Sequence, residues 1–305
     1  MKQTLVGRVV ATFGRHMIVR AGERELRARP FGRALGAVCG DEVCCRFDAR
    51  HDEVHVVAVL PRRSALWRAA KRGGAEVVVA NLTQLLVVLA PLPAPDLFVV
   101  DRYLAAASAA PATATLIVNK SDLGVGAALA AELAAWAAAG YRAISCSAAS
   151  GTGLEMLLAA LQPGAIAALV GQSGVGKSSL VRRLAPQAER LAIGDLVRAE
   201  EGRHTTTAAR MFELPGGAAL IDSPGVRDFT PAVAALDERT LGFAEVEQLA
   251  PGCRFGDCRH MREPGCAVRA AAQAGTLHAR RYESYRRLRR LREQLATARG
   301  PGRPR

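Results

Sequence analysis

Aromatic residues make up only 5% of this 305-residue chain, and it has no apolar run long enough to span a bilayer as a helix. The longest such stretch, residues 76–91, is interrupted by Asn81, Thr83 and Gln84. Met1-Lys2-Gln3 is not followed by the apolar segment of a secretory signal, so a cytoplasmic protein without membrane contact is expected. Acidic residues are in deficit, 28 against 41 Lys and Arg, which leaves a formal charge of +13. Such a field attracts polyanions, and nucleic acid or an anionic membrane is the natural partner class. An even cysteine count is also missing. Three of the seven cysteines crowd with one histidine into a short segment, which argues against a disulfide framework and for metal binding. No internal repeat is visible. Half of the residues are hydrophobic, which suits a globular protein, and the length exceeds one core of about 100 to 200 residues, so two or three modules are expected.

Short β-type runs at Gly7–Ala11, His16–Arg20, Glu42–Arg46 and Val54–Val59 predict a small all-β barrel over residues 1–62. Arg24, Arg27, Arg29 and Arg33 are expected between its strands, where an oligonucleotide-binding (OB) barrel carries contacts, although a solvated Arg-rich loop reads the same way. Cys39, Cys44 and Cys45, with His51 and His55, suit buried barrel positions better than a second metal site. Pro61 to Gly74 reads as a basic linker. Strands near residues 77–79, 85–89, 115–118 and 142–145 then alternate with helices near 99–109 and 127–139. That alternation predicts a mainly parallel sheet covered on both faces, over residues 75–230. A Cys/His segment and a helix near 277–299 form a last module, 231–299, and 300–305 reads as a disordered basic tail.

Gly171-Gln172-Ser173-Gly174-Val175-Gly176-Lys177-Ser178 fits G-x-x-x-x-G-K-S/T, after a strand at 166–170 and before a helix that includes Ser179. Its glycines let backbone N–H groups curl around phosphate, Lys177 can bridge the β- and γ-phosphates, and Ser178 can ligate Mg²⁺. Asn119-Lys120-Ser121-Asp122 matches N-K-x-D, in which the Asp122 carboxylate can accept from both guanine donors on an edge where adenine has no such pair. Ser147-Ala148-Ala149 matches, weakly on its own, the short loop that buttresses the base. Asp222-Ser223-Pro224-Gly225 fits D-x-x-G, with Asp222 reaching Mg²⁺ through water and Gly225 donating to the γ-phosphate. Arg203-His204-Thr205-Thr206-Thr207 offers a switch hydroxyl for Mg²⁺, such as Thr206.

The base-reading motifs precede the phosphate loop, the reverse of an ordinary small GTPase, so the order is circularly permuted. With a barrel in front and a Cys/His segment behind, the chain resembles the ribosome small-subunit-dependent GTPase A family over nearly its whole length. Ala80-Asn81 and Asp101-Arg102-Tyr103-Leu104 also match, whereas Thr83 departs from the acidic residue of the Ala-Asn-x-Asp pattern. The resemblance implies binding to the small ribosomal subunit and its rRNA late in maturation, with slow GTP hydrolysis to GDP stimulated there. Val226 stands where many GTPases carry a water-orienting Gln, and His204 is the motif-borne candidate to replace it, although it could equally be a structural His of the switch.

Cys253, Cys258, His260 and Cys266 give C-x4-C-x-H-x5-C, three thiolates and an imidazole that suit a closed, structural Zn²⁺ site. Arg280, Arg281, Arg286, Arg287, Arg289, Arg290 and Arg292 load the last helix and are expected to contact phosphates. The combined expectation is a multidomain α/β protein: an OB-type barrel, a circularly permuted P-loop GTPase core and a zinc-binding helical domain, acting as a monomer. An RNA-binding protein that holds guanine nucleotide without turnover is the main alternative, and an ATP-dependent enzyme the second.

Overall fold

The computed structural model describes residues 4–32, 35–48, 53–70, 74–188, 209–227 and 230–298. Strands β1 (Thr4–Phe13), β2 (His16–Ala21), β3 (Arg24–Pro30), β4 (Glu42–Asp48) and β5 (Glu53–Val59) run in the order β1-β2-β3-β5-β4, and a β1–β4 pairing closes them into a barrel. Side chains alternate across each strand, so Val9, Val19, Ala28, Val43, Cys45 and Val56 fill the interior. Arg24, Arg27 and Arg29 do not lie between strands as expected. Arg27 and Arg29 are outward positions of β3 and Arg24 is exposed at its first residue, while the inward Leu26 and Ala28 are too few and too small to announce a strand. Cys45 is interior, Cys44 half-buried, and Cys39 buried at the junction with the next unit. Arg33 and His51 lie outside the described residues.

The expected basic linker is also structured. Strand β6 (Ala65–Ala69) pairs with β7 (Ala75–Ala80), and Leu66 is fully buried in the core that follows. Within this five-residue strand Leu66 is the buried residue, next to exposed Trp67 and half-buried Arg68. Next come β8 (Gln84–Leu89), α1 (Leu97–Ala109), β9 (Thr113–Val118), α2 (Ala127–Ala138), β10 (Arg142–Ser145), α3 (Leu154–Ala159), β11 (Ile166–Gly171) and α4 (Lys177–Leu184). They are followed by β12 (Ala209–Glu213), β13 (Ala219–Asp222) and α5 (Pro224–Arg227). The order β10-β9-β8-β11-β13 is parallel, and β12 joins β13 antiparallel. Successive β8 residues serve opposite faces. Leu85, Val87 and Leu89 pack with Leu104 of α1 and Trp136 of α2, while Leu86 and Val88 pack with Leu157 of α3 and Leu180 of α4.

Barrel and core share one sheet, because β12 pairs antiparallel with β1 through Ala11↔Arg210 and Thr12↔Ala209. A second link is Asn81, in a left-handed conformation at φ 54°: its Nδ2 donates to Gly40 O at 2.9 Å and its Oδ1 accepts from Arg63 N at 2.9 Å. Thr83 has a structural use in place of an acidic one. Its Oγ1 accepts from Ile166 N at 2.9 Å and fixes the start of β11.

Beyond residue 230 the chain forms α6 (Ala244–Leu249), α7 (Ala267–Ala274) and α8 (Ala279–Ala298), around Phe243, Val268, Leu277, Tyr285 and Leu288. The arginines of α8 are not the free phosphate-binding row expected from the sequence. Arg281 is 1% exposed and donates to Glu245 at 2.6 Å and to Asp101 of α1 at 2.6 Å, while Arg280 binds Asp101 and Glu132 at 2.5 Å each. Burial alone would lower the Arg281 pKa, but Glu245 and Asp101 hold it above its ordinary range. Arg289 is buried on Tyr285 and the Arg239 carbonyl, and Arg287 and Arg290 are the exposed ones among these.

Candidate functional site

The N-K-x-D, Ser-Ala-Ala, phosphate-loop and D-x-x-G segments each follow a parallel strand, β9, β10, β11 and β13 in turn, so all four lie at the carboxyl edge of the sheet. In open α/β sheets ligands bind along that edge. Asn119, 1% exposed, joins three of the segments: Nδ2 donates to Val175 O in the phosphate loop at 2.8 Å, and Oδ1 accepts from Ala148 N at 3.0 Å. The sequence dictates this closeness. Gly176 sits at φ 95°, and a Cβ there would lie 2.3 Å from Asn119 Nδ2, so any larger residue would displace the asparagine. Gly171 is equally constrained, since its Cβ would meet Val88 O at 2.2 Å.

Lys177, buried at the start of α4, donates from Nζ to Gly171 O at 2.6 Å and Gln172 O at 2.9 Å. Its ammonium thus sits inside the loop it must complete. Gln172 Oε1 accepts from Asp96 N at 2.9 Å, which ties the loop to the start of α1. Ser173, Gly174 and Ser178 are exposed and Ser179 is half-buried. Lys120, at φ 58°, donates to Leu92 O at 2.9 Å, while Ser121 N donates to Cys146 O at 3.1 Å and leaves Asp122 exposed. A cavity of about 430 Å³ opens between these segments, lined by Asn119, Lys120, Ala148, Ala149, Gly176 and Arg183 among others. That volume is within the range of small-molecule sites.

Asp222 ends β13, and Gly225 N donates to Ser223 Oγ at 3.2 Å. Val226 is 1% exposed and packs into the core, so the position that often carries a water-orienting Gln presents nothing to a nucleotide. His204 and Thr206 lie outside the described residues. Sequence reasoning missed Arg183. Its two donors meet Ala148 O and Ala149 O at 2.8 Å each, a role that no spacing rule announces.

Cys253, Cys258, His260 and Cys266 converge elsewhere, with one ligand atom from each within 4.8 Å of all the others. His260 Nδ1 is 3.4 Å from Cys253 Sγ and 3.6 Å from Cys266 Sγ. Burial first, and then the Arg239 charge, push the imidazole down to about 4, so it is neutral as a metal ligand must be. The soft donor set and this spacing fit tetrahedral Zn²⁺. The sequence did not point to Glu263, whose carboxylate accepts from Arg259 N, Met261 N and Arg262 N at 2.8 to 2.9 Å. Burial would raise its pKa, but these backbone donors outweigh that and hold it at about 2. Tyr282 Oη donates to His260 O at 2.7 Å, and Tyr285 Oη lies 2.9 Å from Arg259 O.

Comparison with known proteins gives the same outline. A family model described as RsgA GTPase matches residues 59–231. The small ribosomal subunit biogenesis GTPase RsgA of Chromohalobacter salexigens is 43% identical over 293 residues, covering 93% of this chain and 85% of that protein. That of Ectopseudomonas mendocina is 42% identical, covering 92% and 84%. Among solved structures, YjeQ from Thermotoga maritima superposes with a TM-score of 0.71 at 24% identity, covering 98% of this chain and 100% of that one. YloQ, described as a circularly permuted GTPase, gives 0.68 at 20% identity, covering 99% and 97%.

Proposed function

The chain belongs to the RsgA GTPase family and is a GTP hydrolase, and on that premise we propose that it acts in small ribosomal subunit biogenesis. In this reading it docks on small-subunit rRNA with GTP bound and is released after hydrolysis to GDP. The observation that carries the nucleotide half of the proposal is Asn119, which holds the phosphate loop and the Ala148 loop around one cavity through bonds of 2.8 and 3.0 Å.

The proposed roles follow the motifs. Asp122 accepts from the guanine donors, and the Ser147-Ala148 backbone walls the base. The N–H groups of Gly171 to Ser179, with the Lys177 ammonium, surround the phosphates. A magnesium ion would neutralise charge developing on the β- and γ-phosphate oxygens, held by Ser178, through water by Asp222, and by a switch hydroxyl such as Thr206. Gly225 donates to the γ-phosphate. His204 is assigned to orienting the water, because Val226 faces the core. Cys253, Cys258, His260 and Cys266 are assigned to a structural Zn²⁺ that holds a segment with little core of its own. The functional units are 1–62 for RNA, 75–230 for the nucleotide and 231–299 for zinc. The protein is taken to act as a cytoplasmic monomer, and none of the described helices is long and apolar enough to cross a membrane.

The test is GTP turnover with and without purified small ribosomal subunits. Stimulation of about tenfold or more, equivalent to about 1.4 kcal/mol of transition-state stabilisation, is expected. It should disappear in His204→Ala while GTP affinity stays within a few-fold. Absence of stimulation in the unmodified protein would favour an RNA-binding module that merely holds nucleotide.

A further inference from the structure

The loop Ser147–Gly151 directs its backbone donors individually. Ser147 N donates to Thr152 O at 2.9 Å, Ala148 N to Asn119 Oδ1 at 3.0 Å, Ser150 N to Ser147 Oγ at 3.2 Å, and Gly151 N to Ser147 O at 2.8 Å. Among the described residues, Ala149 N–H meets no acceptor. Ala149 is exposed and lines the cavity. Its direction is set from outside the loop. In a trans peptide the C=O and the following N–H point oppositely, so the grip of Arg183 Nε on Ala148 O turns the Ala149 N–H away from Arg183. A second contact, Nη2 to Ala149 O at 2.8 Å, fixes the next peptide as well. Two donors of one planar guanidinium thus hold two successive carbonyl groups from a rigid fork, whereas an ammonium is a point charge on a flexible stem.

The anchor of this guanidinium is informative. Arg183 belongs to α4, whose first residue is Lys177 of the phosphate loop, while Ala148 and Ala149 belong to the loop after β10. One side chain therefore ties the phosphate-side helix to the base-side wall. Ala149 itself contributes only a methyl group, so the wall acts through its backbone. We propose that Arg183 is a positioning residue for base recognition, holding the Ala149 N–H as the donor for the carbonyl at purine position 6. This rests on the assignment of Asn119–Asp122 to guanine. Asp122 reads the donor edge, and the clamped loop reads the acceptor.

The test uses the full chain and competition against a fluorescent GDP analogue, with GDP, 6-thio-GDP, ADP and tripolyphosphate as competitors. Sulfur at position 6 keeps the donors facing Asp122 and weakens only the acceptor. The unmodified protein should prefer GDP over 6-thio-GDP by about fivefold, the value of one modest hydrogen bond. Arg183→Ala should lower GDP affinity by a similar factor and bring that ratio near one, with tripolyphosphate affinity unchanged. Arg183→Lys should fall between, and it carries the comparison if the alanine variant loses tripolyphosphate binding and hence its fold. A ratio unchanged in both variants overturns the clamp. Equal affinity of the unmodified protein for GDP and ADP is a different failure, that of the guanine assignment itself.

Discussion

The nucleotide loops and the cysteine region are held together by opposite means. Around the nucleotide cavity, backbone conformation decides: Gly176 at φ 95° lets Asn119 approach, and Lys120 takes a left-handed turn. In the C-terminal region side chains decide. Arg281, Arg280 and Tyr285 bind carboxylates and carbonyls from distant segments, the Glu263 carboxylate gathers backbone N–H groups of its own loop, and four ligand atoms converge within 4.8 Å. The nucleotide loops depend on their glycines and on a few polar side chains, such as Asn119 and Lys177, that bond to loop backbone. A region built from side chains depends on each polar partner, because a buried group left unpaired costs more than the pair contributed.

That contrast can be broken most severely at the metal. Cys258→Ser is expected to abolish stoichiometric zinc by elemental analysis and to raise amide exchange over residues 250–270, while GTP binding stays measurable. A zinc-free unmodified protein, purified without chelators, would remove the site. Next in size is Arg281→Met, which leaves Glu245 without its bidentate partner. A loss of about 3 to 5 kcal/mol in urea unfolding is expected, since breaking one side of a buried ion pair leaves an uncompensated charge. A loss below 1 kcal/mol would mean that the network is well hydrated.

On the nucleotide side Asp122→Asn should leave stability nearly unchanged and shift preference from GTP towards xanthosine triphosphate, because the amide can donate to the new carbonyl. Equal affinity for both would displace Asp122 from the base edge. The smallest effect is expected for Glu263→Gln, which keeps the shape and removes the charge that three backbone N–H groups share. About 1 to 2 kcal/mol should be lost at neutral pH. The sign of the pH dependence follows from a depressed pKa. The contribution is present above the ordinary glutamate range and is lost as pH falls towards about 2, so the variant and the unmodified protein should converge in acid.

The nucleotide loops were legible because each motif is a demand on backbone geometry, and Gly, Asn and Asp at fixed offsets are how a chain meets it. The parallel sheet was legible from apolar runs such as Leu85–Leu89, buried on both faces. The arginines of α8 were not. Seven arginines within residues 280–292 read as a phosphate-contacting face, and only the position of Asp101, about 180 residues earlier, turns Arg281 inward. Strands β3 and β6 are hidden for a related reason: β3 sets only Leu26 and Ala28 against the outward Arg27 and Arg29, and β6 is five residues long with Leu66 alone fully buried. Arg183 belongs to this class too, as its targets are carbonyl oxygens and no residue type marks them.

The pairing of β1 with β12 has a consequence for synthesis. Ala11 and Arg210 are separated by about 200 residues, so during translation at about 5 to 20 residues per second the rim of β1 waits on the order of ten seconds or more for its neighbour. The five barrel strands can close on themselves soon after residue 59 leaves the exit tunnel. The Ala11–Thr12 rim cannot be covered then, and it stays an unpaired strand edge, the kind of surface that recruits foreign strands. A nascent chain stalled before Ala209 should therefore carry a barrel that is complete but adhesive, and chaperone dependence should fall once β12 has emerged.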